Sequence, residues 1–358
     1  MKQAGRSQEE IVKHVERLLE ERGREALDMS RKRILDEKIE CKEAYEALKF
    51  FMSYWKDLAR PTLMSIVCEA AGGDPAMTIP VAASMILISG GADIHDDIID
   101  RSDRKLSHLT VFGKFGEDIA LLAGDAFLFK GLTLLYDSIK ETVSSEKISS
   151  IFGLVNRMFF KLGDAEAFEL RFRGRTDVSP EEYLSLVRKK AADVEALVKI
   201  SAIMGGGSDE EIEKLGNYGR LLGMVLILRD DMRDITDFTE TLHRIKKECL
   251  PLPILYALQS NETRSKLVSM IGKQPLTKRD IEEIQENIAK SGGLQRTRKI
   301  INELAEEAYS VVRKIDKNRN LETFIVASCI PYLEGAIKAE KAFLGLEAKK
   351  RLEMHAYN

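Results

Sequence analysis

Proline is scarce in this chain, with eight in 358 residues, so long stretches can run as uninterrupted helix. Cysteine is equally sparse. The four thiols at Cys41, Cys68, Cys249 and Cys329 show no C-x-x-C spacing, which argues against a zinc site or a disulfide framework and fits a reducing compartment. Charge of one sign is also lacking. With 55 basic and 58 acidic side chains the net charge is −3, so nothing marks the chain as a nucleic-acid binder. No run of about 18 apolar residues stands out, and no transmembrane helix is expected. The N-terminus is charged and lacks the apolar segment of a secretion signal, so a cytoplasmic protein is expected. There is no convincing strand–turn–strand pattern, no internal repeat and no low-complexity linker.

What is present is helical periodicity. Hydrophobic residues make up 44% and charged ones 32%, enough apolar material for a sizeable core under a well-solvated surface. The pattern predicts helices over 8–28, 32–57 (one or two), 61–71, 77–101, 117–141, 146–171 and 180–204. A further helix opens at Ser208-Asp209-Glu210-Glu211, and others follow at about 251–260, 262–272, 277–292, 294–316 and 320–348. Ser179-Pro180-Glu181-Glu182 combines an N-cap Ser, Pro at the first helical position and Glu at the third, a strong helix start. Residues 102–116 and 237–250 read as polar and irregular. Gly90-Gly91 inside a helix costs about 1 kcal/mol per Gly relative to Ala, so the pair implies close packing or an opened cavity. No composition shift marks a boundary. The expectation is one all-α domain over 1–358, with 1–44 as a docked helical arm.

Two acidic runs carry the chemistry. They are Asp96-Asp97-Ile98-Ile99-Asp100 and Asp230-Asp231-Met232-Arg233-Asp234, both D-D-x-x-D. On a helix the first and last Asp share a face, and the middle one lies about 100° round. Neighbouring carboxylates repel by roughly 1–4 kcal/mol per pair at effective dielectrics of about 80 to 20. One such cluster could be a solvated surface. Two matching clusters ask for a shared cation, and an all-oxygen donor set suits Mg²⁺ held together with substrate phosphates.

The context of the runs resembles the trans-isoprenyl diphosphate synthases, the polyprenyl synthetase family. After Ile94-His95-Asp96-Asp97 come Thr110-Val111, Lys114-Phe115-Gly116 and Leu122-Ala123-Gly124-Asp125-Ala126 in the family's order. Arg60-Pro61, the helix from Tyr183 to Lys190, the second Asp run and Leu252-Pro253-Ile254-Leu255-Tyr256-Ala257-Leu258 also fall in step, so the likeness covers about residues 45–320. It implies an isoprenoid-synthase helical bundle around a central cavity, commonly dimeric. It also implies about three Mg²⁺ ions, ligated by Asp96, Asp97, Asp100, Asp230, Asp231 and Asp234, that neutralise the diphosphate leaving an allylic donor. Asp96, Asp97 and Lys190 would then act in catalysis. Lys190 and Lys105 would touch the diphosphate, and the family's later Gly-Lys would correspond to His243-Arg244, with Arg244 as a binding residue. The residues five and four before the first run, Gly91 and Ala92, are small, which implies an open channel and a donor or product of C20 or longer.

The sequence also departs from the family. The upstream basic motif reads Trp55-Lys56-Asp57-Leu58-Ala59-Arg60-Pro61, keeping Arg60 but placing Asp57 where the family has Lys. Ser89 replaces a His or Gln, and Leu106 replaces the second Arg after the first run. Ala191 replaces a Thr and Ile227 a Gln. These changes fall mostly on the pocket for isopentenyl diphosphate, and charge-assisted contacts worth roughly 1.5–3 kcal/mol each would be lost there. They favour an acceptor other than isopentenyl diphosphate, a terpene-cyclase-like reaction, or a non-catalytic partner subunit of an active synthase, beside ordinary elongation. A di-metal carboxylate bundle needs two Glu-x-x-His pairs, and only Glu240-x-x-His243 exists.

Milder readings attach to several residues. Asp93 reads as exposed or supporting, His95 as packing, Lys189 as surface, and Arg171, Arg173 and Arg175 as a solvated turn. Arg60 could be a structural ion-pair partner instead of a ligand contact. Glu166 and Glu169 are left open.

Overall fold

In a computed structural model, residues 7–105, 108–273 and 275–330 are described. Helix α1 (Gln8–Leu35) starts at a capping box in which the Ser7 hydroxyl accepts from the Glu10 N–H and Glu10 reaches back to the Ser7 N–H. There follow α2 (Lys42–Tyr54), α3 (Ala59–Ala70), a 3₁₀ turn (Pro75–Thr78) and α4 (Ile79–Ile99). Two short antiparallel strands, β1 (Arg104–Lys105) and β2 (His108–Leu109), form a small ribbon before α5 (Val111–Phe115). The long helices α6 (Glu117–Ile139), α7 (Ser145–Phe172), α8 (Pro180–Lys190), α9 (Ala192–Met204) and α10 (Asp209–Asp234) come next. The remainder is α11 (Phe238–Lys247), α12 (Leu252–Leu258), α13 (Arg264–Ile271), α14 (Lys278–Lys290), α15 (Gly293–Val312) and α16 (Asn320–Ile330).

The core has two halves with α3 and α9 between them. One half joins α1, α2, α4, α6 and α7 through residues such as Leu27, Phe51, Ile86 and Phe127. The other joins α8, α10, α12, α14, α15 and α16 through Val187, Leu222, Leu255, Ile288 and Ile325. Helix α9 serves both. Val194, Val198 and Ala202, spaced four apart, face the second half, while Leu197, Ile200 and Ile203 face the first. The predicted arm is therefore part of the core, since α1 buries Ala26, Leu27 and Ile34 completely or nearly so. The Tyr218 hydroxyl donates to the Leu321 carbonyl at 2.9 Å and pins α16 to α10.

The glycine pair in α4 answers to close packing. A Cβ on Gly90 would lie 2.8 Å from the Phe51 ring, and one on Gly91 would lie 2.8 Å from the Gly124 carbonyl and from Leu128. The space left by the missing side chain of Gly91 is thus filled by α6. Gly131 continues the contact, with Ile88 Cγ1 at 2.6 Å from its Cβ position.

Four sequence expectations need correction. The stretch 102–116 holds the β ribbon and α5 as well as loop, and 237–250 is mostly helix α11. Asp237 explains the latter, because its carboxylate accepts from the Thr239 and Glu240 N–H groups as an N-cap. The single helix expected over 180–204 breaks at Ala191, where ψ is 0°. Helix α10 crowds that point, since a Cβ on Gly223 would lie 2.9 Å from the Ala191 Cβ. Finally, two helices are long and apolar enough by composition to cross a membrane, Pro75–Ile99 and Glu117–Ile139. Their apolar character is diluted by Gly, Ala and Ser, and the first is 67% buried inside the fold. Leu106, residues 1–6 and the part of the expected last helix beyond Ile330 lie outside the described residues.

Candidate active site

Both acidic runs sit at C-terminal helix ends, α4 for the first and α10 for the second. Carboxylates there face the negative end of the helix dipole, which makes a compensating cation more valuable. Asp97 and Asp100 are 1% and 7% exposed, Asp231 and Asp234 0% and 6%. Burial pushes Asp97 up to about 7 against the pull of Lys105. Asp100 rises to about 8, through burial and then the charges of Asp96 and Glu248. Asp96 is also raised by burial, with Lys190 and Lys105 opposing.

Basic side chains fill the space around these acids. Lys105 of β1 lies 2.8 Å from Asp93 and 2.9 Å from Asp97. Burial works against its charge, but Asp93 and Asp97 outweigh burial and hold it protonated. Arg173, at the end of α7, donates to Asp100 at 2.7 Å. Lys190, the last residue of α8, pairs with Glu166 at 3.1 Å and with Glu169 on α7. Burial raises Glu166 to about 7 despite Lys190.

The second run is held differently. Asp231 accepts from the Tyr183 hydroxyl at 2.8–2.9 Å, from Arg244 at 2.8 Å and from the Leu252 N–H at 3.3 Å. Burial still pushes it up to about 7. Arg244 also bonds Asp234 at 3.1 Å and Glu248 at 2.5 Å. Asp230 is more open and lies 3.2 Å from Arg233. Glu248 joins the two runs: it is ion-paired with Arg244, and its charge raises Asp100. Beside it, His243 Nε2 lies 3.1 Å from Glu248 and 3.3 Å from the Ser102 hydroxyl, so α11 is latched to the segment after the first run.

The sequence-predicted residues therefore gather into one charged cluster, with three exceptions, Gly91, Ala92 and Arg60. Gly91 is packed against α6, and Arg60 is committed elsewhere. Its Nη1 and Nη2 donate to Asp57 and Asp193, each at 3.0 Å. Asp193 lies on α9, so this is the structural ion pair, and Asp57 takes one end of the guanidinium. Ala92, next to Gly91, is half-buried. The sequence reading missed Arg173, placed in a supposed solvated turn, and Tyr183 as a donor to Asp231. It also missed Glu248, in a stretch read as irregular. Only the position of Arg173 directly after a helix carrying Glu166 and Glu169 hinted at its place.

Whether these residues suit a metal follows from their chemistry. The donors are carboxylate oxygens, which hard divalent cations prefer. Both oxygens of buried Asp97 lack an aligned hydrogen-bond donor, Lys105 being close but off-line. Several of the carboxylates are raised, chiefly by burial, and a bound cation would favour their charged form. The donor set fits. Among the described residues, no three acidic, His or Cys side chains converge on one point as they stand. Lys105, Arg173 and Arg244 neutralise the acids instead, and a cation would take over from them.

Residues 45–288 match the sequence profile of the polyprenyl synthetase family. The chain belongs to the polyprenyl synthetase family. Among its relatives in this family is the short chain isoprenyl diphosphate synthase of Methanothermobacter thermautotrophicus, 34% identical over 221 residues, covering 60% of this chain and 67% of that protein. The geranylgeranyl diphosphate synthase of Methanosarcina mazei is 31% identical over 205 residues, covering 57% of this chain and 62% of the relative. The fold matches that of geranylgeranyl pyrophosphate synthetase from Pyrococcus horikoshii with a TM-score of 0.79, at 23% identity over 88% of this chain and 99% of that one. Polyprenyl synthetases are prenyl-transferring enzymes, and their all-α architecture is the one described above.

Proposed function

We propose that this polyprenyl synthetase makes isoprenyl diphosphates by Mg²⁺-dependent ionisation of an allylic prenyl diphosphate of C20 or longer. The observation that supports this reading is the pairing of two D-D-x-x-D runs whose buried carboxylates are raised by desolvation and take their positive charge from internal Lys and Arg. Asp96, Asp97, Asp100, Asp230, Asp231 and Asp234 are the residues to hold metal, Asp231 and Asp234 being paired with Arg244 until a cation takes its place. Bound Mg²⁺ would neutralise charge on the departing diphosphate. Lys105 and Lys190 exchange carboxylate partners for diphosphate oxygens, each donating as a point charge. Tyr183 and Arg244 hydrogen-bond Asp231 and orient its carboxylate before a cation arrives, so the second run is preorganised.

The acceptor is where a second reading has its own support. The Arg60 guanidinium is already held at both ends by Asp57 and Asp193, so it is not free for a second diphosphate. That favours an acceptor other than isopentenyl diphosphate, or cyclisation of the prenyl cation. Homodimerisation and a cytoplasmic location complete the proposal. Leu122, Phe129 and Tyr136 form a seven-residue-spaced stripe on α6, 51–69% exposed, a face suited to a second copy, and Phe160 on α7 is a further exposed aromatic at 73%.

A donor–acceptor screen tests the reading. The purified protein receives Mg²⁺ and C10 to C25 allylic diphosphates, with and without isopentenyl diphosphate, and products are followed by mass. Pyrophosphate release from long donors, lost by about 10²-fold or more in Asp96→Asn, is expected. No release from any donor would leave only a partner-subunit role. Efficient elongation with isopentenyl diphosphate would remove the second reading.

A further inference from the structure

Beside the last turn of α11 lies a surface cleft of about 890 Å³ whose lining includes none of the acidic-run residues. It is bounded by the last turn of α11, the link between α7 and α8 at Gly174 and Thr176, and the end of α13 with the link that follows. Its floor is apolar. Ile245 and Leu276 are 5% and 8% exposed, Ile271 is half-buried, and Val268 keeps 37% of its surface open to the cleft side. Its rim is basic: Lys246, Lys247 and Lys273 line it, and among the described residues no acidic side chain does. Lys273 is shared with Asp280 at 2.8 Å, whereas Lys246 and Lys247 are exposed and make no ion pair among the described residues.

Lysines in the last turn of a helix commonly serve its dipole. The dipole does not explain a third lysine arriving from a different element onto the same rim, nor an apolar floor beneath them. A concave site of this size, with an apolar floor and a few convergent charges at its rim, is a form that small-ligand sites take. The chemistry it recognises is an apolar chain with a negative head.

We propose that this cleft is a binding site for an anionic amphiphile, a hydrocarbon chain ending in phosphate or carboxylate. The chain lies on Val268, Ile271 and Leu276, and the head is held by Lys246 and Lys247. The site stands apart from the reaction and does not depend on the prenyl-transfer reading. It borders the reaction through two elements: α11, whose preceding residues His243 and Arg244 hold Glu248, Asp231 and Asp234, and the α7–α8 link, where Arg173 next to Gly174 holds Asp100.

Calorimetric titration of the full chain with dodecyl phosphate, without Mg²⁺, tests the site. Wild type is expected to bind, and Lys246→Gln/Lys247→Gln to bind at least tenfold more weakly because two charge-assisted contacts go. Val268→Asp should weaken binding as much, by placing a charged group on the floor beneath the chain. Dodecanol and inorganic phosphate, each half of the ligand, should each bind at least tenfold more weakly than the whole. Asp96→Asn should retain full binding, which separates this cleft from the acidic cluster. Unchanged melting temperatures keep the comparison on binding. Equal binding by wild type and the double lysine variant overturns the proposal, as does loss of binding in Asp96→Asn. Recruitment to anionic vesicles without binding of dodecyl phosphate would overturn it too, in favour of a membrane surface.

Discussion

Arg244→Gln is the most informative single change in the acidic cluster. The guanidinium is 13% exposed and bonds three carboxylates, Asp231 at 2.8 Å, Asp234 at 3.1 Å and Glu248 at 2.5 Å. Removing one partner of a buried ion pair costs about 3–5 kcal/mol, mostly because the opposite charge stays buried. A loss of that size is expected near pH 8 in EDTA, read by urea unfolding with far-UV circular dichroism. The pH dependence has a defined sign. Asp231 sits at about 7 in the fold, well above an unfolded carboxylate at about 3.9. A carboxylate raised on folding costs most above its folded pKa, and the cost is relieved as pH falls toward the unfolded value. Without Arg244 the folded value rises further. The deficit of the variant should therefore shrink between about pH 8 and pH 5.5, by up to roughly 1.4 kcal/mol per unit of additional shift. Arg244→Lys should recover part of it, having the charge but not the fork. A deficit under about 1 kcal/mol at pH 8, or one that grows on acidification, would refute the account of Arg244 as the counter-ion of the second run.

Three further outcomes are expected. His243 is raised above its ordinary value by its hydrogen bond to Glu248, so its contribution is full below about 6.5 and fades as pH rises through the folded pKa. His243→Gln should lose under about 1 kcal/mol in acid, the pair being partly exposed, and match wild type in alkali; a constant difference would contradict this. Gly131→Val should lower the melting temperature, with a cost of about 1–3 kcal/mol or more, since Ile88 Cγ1 already lies 2.6 Å from the Cβ position. Phe129→Glu with Phe160→Glu should convert a dimer to a monomer in light scattering, and an unchanged mass would place the interface elsewhere.

Much of this was legible in the sequence because it depends on local rules. The helix starts at Ser179 and Ser208 follow from capping chemistry, and each is a capping box in the fold. The acidic runs stand out because their spacing is a helical one. What was not legible depends on what approaches from far along the chain. The break at Ala191 needs α10 beside it, and the meaning of Gly91 needs α6. Arg173 looked like one of three similar arginines until Asp100, distant in sequence, came within 2.7 Å. The fate of Arg60 required Asp193 on another helix, although Asp57 three residues upstream was a visible hint.

The glycine contacts between α4 and α6 have a mechanical consequence. Backbones packed that closely leave no slack for one helix to slide on the other, so the first acidic run is mounted on a stator. Helix α11 is the opposite case, burying only Thr241 and Ile245 of its residues. What holds α11 against the site is charge more than packing, the ion pairs of Arg244 and His243. Amide protons of α4 should therefore exchange slowly whatever the salt concentration, while those of α11 should exchange faster as salt weakens those pairs.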